Sequence, residues 1–171
     1  MITLAFYKGR TDDQKDRIVD ALIRFATRSA YSHVELIGGV AQLGEEAVCF
    51  SSSSRDGGVR EKRILLRPDH WDLVFAPIDP EPPVAVLTSH LGARYDMVGI
   101  LLSQTLALGR HDPDKWFCSE IIAAALGLSS PQRYSPQLLC EVVQWAWPRP
   151  LGDGDAGAGD PSAADADDLT S

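Results

Sequence analysis

The stretch Tyr31-Ser32-His33-Val34-Glu35-Leu36-Ile37 decides the fold. Polar and apolar side chains alternate along it, and its β-branched and aromatic content suits a half-buried strand. Gly38-Gly39 ends the run, and Ala47 to Ser53 reads as the strand returning beside it after a longish loop. Working outward, Ile2 to Tyr7 is a short strand closed by Gly9. In the other direction Asp56-Gly57-Gly58 supplies turn residues that tolerate positive φ, and Val59 to Leu66 and Trp71 to Ile78 follow as two more strands. Thr11 and Gln14 stand at capping-box spacing ahead of Ile18, Val19, Leu22, Ile23 and Phe25, which predicts a helix from about Asp12 to Thr27. Asp79-Pro80-Glu81-Pro82-Pro83 reads as a breaker. Beyond it the periodicity turns helical over Val84 to Leu91, Met97 to Leu108 and Phe117 to Leu126, then from Ser135-Pro136 to about Trp145, where Leu138, Leu139, Val142, Val143 and Trp145 recur as the apolar face expected to pack on the core. Strands first and helices second predict an α+β fold, a mostly antiparallel sheet of about five strands packed with helices.

The 171 residues suffice for one ordinary domain, and 44% hydrophobic with 23% charged residues excludes collagen-like, wholly disordered and disulfide-scaffold classes. The formal charge of -8 has the wrong sign for a protein that lives on phosphate backbones, so nucleic acid is not an expected partner. That charge is uneven: Leu151 to Ser171 carries six aspartates, no Lys or Arg, and hardly a large apolar side chain. Residues 151–171 therefore read as a disordered acidic tail, and 1–150 as the folded domain. Cys49, Cys118 and Cys140 are odd in number and show no C-x-x-C spacing, against a disulfide framework or a structural zinc site. Neither a metal nor a cofactor is expected. The N-terminus has no basic region or cleavage site, and the most apolar window, Met97 to Leu108, is too short to span a bilayer. A cytoplasmic protein without a transmembrane segment is the expectation; the oligomeric state is left open.

The chemistry concentrates in Trp116-Phe117-Cys118-Ser119-Glu120, which opens the apolar run from Ile121 to Leu126. Cys118 falls in the first turn of that helix, where unpaired N–H groups and the positive end of the dipole favour a thiolate and supply oxyanion donors. Against this stands the tendency of cysteine to serve simply as a buried packing residue. Cys49, between Val48 and Phe50 in a strand, and Cys140, on an apolar helix face, read as core thiols. A thiolate nucleophile needs a base, and period-2 alternation puts His33 on the same strand face as Glu35. The plain alternative is a half-exposed polar strand face. His70 in a loop and His90 on a helix without partners are weaker bases, and His111 is held in reserve because it lies seven residues before Cys118.

Taken together, Ser32-His33-Val34-Glu35-Leu36, then Tyr95-Asp96 with Gly99, then Trp116-Phe117-Cys118-Ser119-Glu120 resemble the circularly permuted branch of the papain-like NlpC/P60 superfamily, which includes YiiX/YaeF-like and lecithin:retinol acyltransferase-like proteins. Histidine precedes cysteine there, reversing the order of ordinary members. The likeness spans residues 1–147, including Ser135-Pro136 with Leu138. It implies a permuted papain-like fold for residues 1–150, Cys118 as nucleophile, His33 as general base, and a third polar residue that orients the imidazole. Related proteins place that residue on the strand after the histidine strand, where this chain has Ala47-Val48-Cys49-Phe50-Ser51-Ser52-Ser53. Ser51 or Ser53 could face His33. Glu35 is favoured because a carboxylate stabilises imidazolium better than a hydroxyl, although side chains two apart on a strand start roughly 6–7 Å from each other. Tyr95 and Asp96 are expected to brace the loop and helix beneath the site.

The implied activity is a cysteine hydrolase, a peptidase or amidase, cleaving an amide or ester through an acyl-enzyme. Its substrate would be a peptide, a peptidoglycan fragment reached by phage-associated export, or a lipid-like acyl compound. The alternatives are a lipid thioesterase or acyltransferase, and a non-catalytic binding protein whose groove is built from the Met97 to Leu108 segment and the Trp145/Trp147 end. Because the acidic tail has no apolar periodicity, deleting Leu151 to Ser171 is expected to leave the melting temperature and activity unchanged. A marked fall in either would show that the tail docks on the domain.

Overall fold

Along the first strand, β1 (Ile2–Tyr7), Ile2, Leu4 and Phe6 are buried on one face while Thr3, Ala5 and Tyr7 take the other. The same alternation continues through β2 (His33–Ile37), β3 (Glu46–Ser53), β4 (Gly58–Leu65) and β5 (Trp71–Ala76). A computed structural model describes residues 1–9, 30–95 and 115–148 of the chain. The five strands form an antiparallel sheet in the order β5-β1-β2-β3-β4. Two short strands extend it beyond β4: β6 (Arg94–Tyr95) pairs antiparallel with β4, and β7 (Lys115–Trp116) pairs parallel with β6. Among the described residues three helices accompany it, α1 (Glu81–Ser89), α2 (Cys118–Ala125) and α3 (Pro136–Ala146), with one 3-10 turn at Pro131–Arg133. The α+β expectation is met among the described residues. The predicted Asp12–Thr27 and Met97–Leu108 helices, Asp96, Gly99, His111 and the acidic tail lie outside them.

The two faces of the sheet differ in kind. Ile2, Leu4, Phe6, Val34, Leu36, Phe50 and Val59 form a core with Leu87 of α1, Ile121 and Ile122 of α2, and Leu139 and Val143 of α3. The opposite face holds a smaller cluster of Ala5, Ile37, Cys49, Leu66, Trp71 and Leu73, and gives way to polar side chains toward His33 and Glu35. Tyr7 stands opposite His33 on one side and Trp71 on the other, so three large rings cross the sheet in one row.

Three local expectations need correction. The Pro-rich segment does not stop the chain from becoming helical: α1 starts at Glu81, and Val84 already donates to the carbonyl of Pro80 at 3.1 Å. The first-turn N–H groups of a helix have no intrahelical acceptor, so Pro82 and Pro83 lose nothing there. On α3, Leu139, Cys140 and Val143 are buried but Leu138 is 41% and Trp145 85% exposed. The inward stripe runs through 136, 139, 140 and 143, and Leu138 and Trp145 fall beside it. His90 has partners after all: Nδ1 lies 2.8 Å from the Val86 carbonyl, and the ring packs edge-on against Trp116 at 5.1 Å.

At the β4 to β6 junction the chains touch. A Cβ on Gly58 would stand 1.9 Å from the carbonyl oxygen of Ala93, which accepts from the Val59 N–H at 2.8 Å. Gly58→Ala is therefore expected to destabilise the fold by about 1–3 kcal/mol in urea unfolding. A change within about 0.5 kcal/mol, the ordinary scatter of surface substitutions, would contradict that close approach.

Candidate active site

His33 is the first residue of β2 and Cys118 the first of α2. Phe117 precedes α2 in extended conformation, and its backbone N–H donates to a Glu120 carboxylate oxygen at 3.4 Å, which anchors the first turn. Ser119 donates to the Tyr134 carbonyl at 2.6 Å and Ser52 to the Trp116 carbonyl at 2.6 Å, tying both ends of the Trp116–Ser119 segment to the rest of the fold. Cys118 itself is buried, and its side chain is among the groups that raise the His33 imidazole.

The imidazole is held by Glu35. Nε2 of His33 lies 2.7 Å from Oε1 of Glu35, a carboxylate with no solvent exposure. Side chains that start two positions apart on β2 thus converge at their tips. Ser51 and Ser53 are occupied elsewhere: Ser51 donates to the Val34 carbonyl at 2.7 Å, and Ser53 accepts from the Arg55 N–H at 3.3 Å.

Arg60 is the residue that sequence reasoning missed. Its Nη1 donates to Oε2 of Glu35 at 2.6 Å and its Nη2 to Oε1, a fork-on-carboxylate pairing. Nε of Arg60 donates to Asp56 at 3.0 Å, and Asp56 accepts from Lys62 at 3.0 Å as well. The register explains the reach. Arg60 stands opposite Ser51 on β3, and continuing the Leu36↔Phe50 pairing puts Ser51 opposite Glu35. A small side chain in the middle strand lets a guanidinium from β4 pass over it to a carboxylate on β2. The available signal was the alternation itself, since the Asp56-Gly57 turn puts Arg60, Lys62 and Ile64 on one face of β4.

The charges follow from these contacts. Burial disfavours the charged imidazole, but the Glu35 carboxylate and the Cys118 side chain outweigh it and lift His33 from 6.5 to about 10. Burial likewise opposes the Glu35 charge, yet His33 and Arg60 hold its carboxyl below the ordinary value. Burial pushes the Cys49 thiol up to about 12 and the Cys140 thiol up to about 11. Beside His33 and Glu35 opens a cavity of about 290 Å³, walled by Tyr7 and Trp71 and by the polar side chains of β4. Among the described residues no cluster of His, Cys, Asp or Glu could hold a metal ion, and no helix is long and apolar enough to cross a membrane.

No protein-family model matches the chain, and a search of curated proteins finds no significant relative.

Because His33 is raised, its contribution to stability is complete below about pH 6.5 and is lost as pH climbs through about 10. Glu35→Gln removes the charge that raises it while keeping the side chain's shape. His33 is then expected to titrate far below 10, toward or under 6.5, in a ring-resolved NMR titration. The alkaline loss of stability should shrink with it. A His33 titration unchanged by the substitution would disprove the coupling.

Proposed function

We propose that this protein is a cysteine-dependent acyl hydrolase of the circularly permuted papain-like type, cleaving an amide or ester bond through an acyl-enzyme. The observation that carries the reading is the His33 imidazole 2.7 Å from the wholly buried Glu35 carboxylate, which Arg60 clamps from β4, with Cys118 near enough to help raise the ring. A half-exposed polar strand face gives no reason to bury a carboxylate behind a histidine and clamp it with an arginine. The chain order of histidine strand before cysteine helix agrees with the permuted arrangement, as does the helix opening at the cysteine.

The chemistry follows the contacts. The Cys118 sulfur, as thiolate beside the His33 imidazolium, attacks the substrate carbonyl and forms an S–C bond. Charge developing on the carbonyl oxygen is met by N–H groups in the first turn of α2, which lack intrahelical acceptors. As the tetrahedral intermediate collapses, the C–N or C–O bond breaks and the His33 proton passes to the departing amine or alcohol. Neutral His33 then takes a proton from water, whose oxygen attacks the thioester; the acid leaves and the thiolate returns. Glu35 stabilises the imidazolium throughout and fixes the ring's orientation, as the carboxylate does in a Ser-His-Asp triad.

A p-nitrophenyl ester is a suitable probe because it demands little of the substrate pocket. The native chain is expected to release a burst of one nitrophenolate per chain, with the acyl group found on Cys118 by peptide mass analysis. Cys118→Ala and His33→Ala should abolish the burst with the fold intact. Glu35→Gln should slow it by about 10–1,000-fold, the range between a supporting interaction and loss of a triad carboxylate. A full burst in Cys118→Ala, or an acyl group on Cys49 or Cys140, would overturn the assignment.

A further inference from the structure

We propose that Arg60 is a positioning residue of the hydrolytic cycle: by sharing the Glu35 oxygen that the His33 ring bonds, it moderates that carboxylate, so that one imidazole can release a proton in acylation and accept one in deacylation. The inference rests on the hydrolase reading and adds how the charge of that site is regulated. Oε1 of Glu35 is contacted twice, by Nε2 of His33 at 2.7 Å and by Nη2 of Arg60, while Oε2 accepts from Nη1 of Arg60 at 2.6 Å. The carboxylate is wholly buried and the guanidinium 14% exposed, so solvent screens these contacts little. Ring and guanidinium therefore divide one negative charge between them. Nε of Arg60 donates to Asp56 at 3.0 Å, which sets a second carboxylate against the same cation.

The two half-reactions ask opposite things of the ring. Collapse of the tetrahedral intermediate needs an imidazolium that gives up its proton, and hydrolysis of the thioester needs a neutral ring that takes one from water. Before acylation both Glu35 and Cys118 raise His33. Once the sulfur carries the acyl group its charge is gone, and Glu35 is left holding the imidazolium. A carboxylate with no other partner would hold it hardest; a permanently charged guanidinium on both oxygens weakens that hold and keeps the carboxylate ionised. Other titratable or charged groups stand near the pair: Lys62 bonds Asp56, Cys49 on β3 interacts with Glu35 and Arg60, Tyr7 on β1 stands opposite His33, and Arg55 and Arg63 line the adjoining cavity. All of these stay in place in the variants below, so a shift reads Arg60 and Asp56.

The full chain is compared with Arg60→Met, Arg60→Lys and Asp56→Asn by ring-resolved NMR titration of His33 and by the pH profile of p-nitrophenyl acetate turnover, with the burst followed separately. Loss of the positive charge in Arg60→Met is expected to move the His33 titration and the pH profile upward by about one unit, and to slow turnover at neutral pH about tenfold and the burst less. Arg60→Lys keeps the charge and loses the fork, so its titration should return toward the native one. Asp56→Asn removes a negative charge and should move His33 the other way, to lower pH and by less. Asp56 lies in a partly exposed turn, so this variant should fold, and it decides the matter alone if Arg60→Met does not: no downward shift there overturns the assignment. A His33 titration unmoved in Arg60→Met leaves Arg60 a structural clamp, and one that falls shows that Glu35 loses its charge without it; either overturns the proposal. Cys118 acylation with a pH profile indifferent to Arg60 removes the role of Arg60 and leaves the hydrolase reading standing. Absence of acylation in the native chain removes the hydrolase reading and, with it, the cycle in which Arg60 is placed.

Discussion

A fully buried carboxylate, Glu35, sits between two cations and organises everything around it. Isolated, such a charge would be costly enough to drive protonation; here His33 takes one oxygen and Arg60 both. Removing a partner from a buried pair of this kind typically costs about 3–5 kcal/mol, because the remaining charge is stranded. The same feature that makes the network expensive to break makes it a rigid support for the imidazole. Arg60 is in turn steadied by Asp56, so three side chains from one hairpin and its neighbouring strand set the position of the His33 ring.

The sheet makes this arrangement possible by separating its duties between two faces. One face is apolar and carries the helices, and its packing against Ile121 and Ile122 fixes where α2 begins. The other face tolerates ion pairs because its polar end keeps contact with solvent, where Lys62 remains 54% exposed. Cys118 arrives with the helix side and Glu35 with the polar side. His33 lies at the end of its strand and is one-fifth exposed; Glu35 bonds its ring, and both Glu35 and Cys118 raise it.

How much of this was legible varies with the range of the interaction that decides it. Strand positions came within one or two residues of the observed bounds, because alternation is a property of neighbours in sequence. The start of α1 was missed because proline reads as a breaker when its place in the first turn is not considered. Strands of two residues, Arg94–Tyr95 and Lys115–Trp116, contain no period to detect. At the site, His33 and Glu35 were found together because they share a strand, and the structure brings Glu35 rather than Ser51 or Ser53 to the ring. Arg60 was invisible, since it lies 25 residues from Glu35 and reaches it only through the β2–β3–β4 register across a serine.

The most direct test of the coupled Cys118–His33–Glu35 arrangement is site-resolved alkylation of the three thiols in the folded protein. Iodoacetamide is added at mildly acidic pH and each cysteine peptide is followed by mass analysis over time. The expected result is much faster labelling of Cys118 than of Cys49 and Cys140; all three are buried, so the difference reads protonation, the other two thiols being pushed up, and Cys118 should slow markedly in Glu35→Gln. Labelling of Cys118 no faster than a free cysteine, or equally fast with and without the Glu35 carboxylate, would contradict a nucleophile activated through His33.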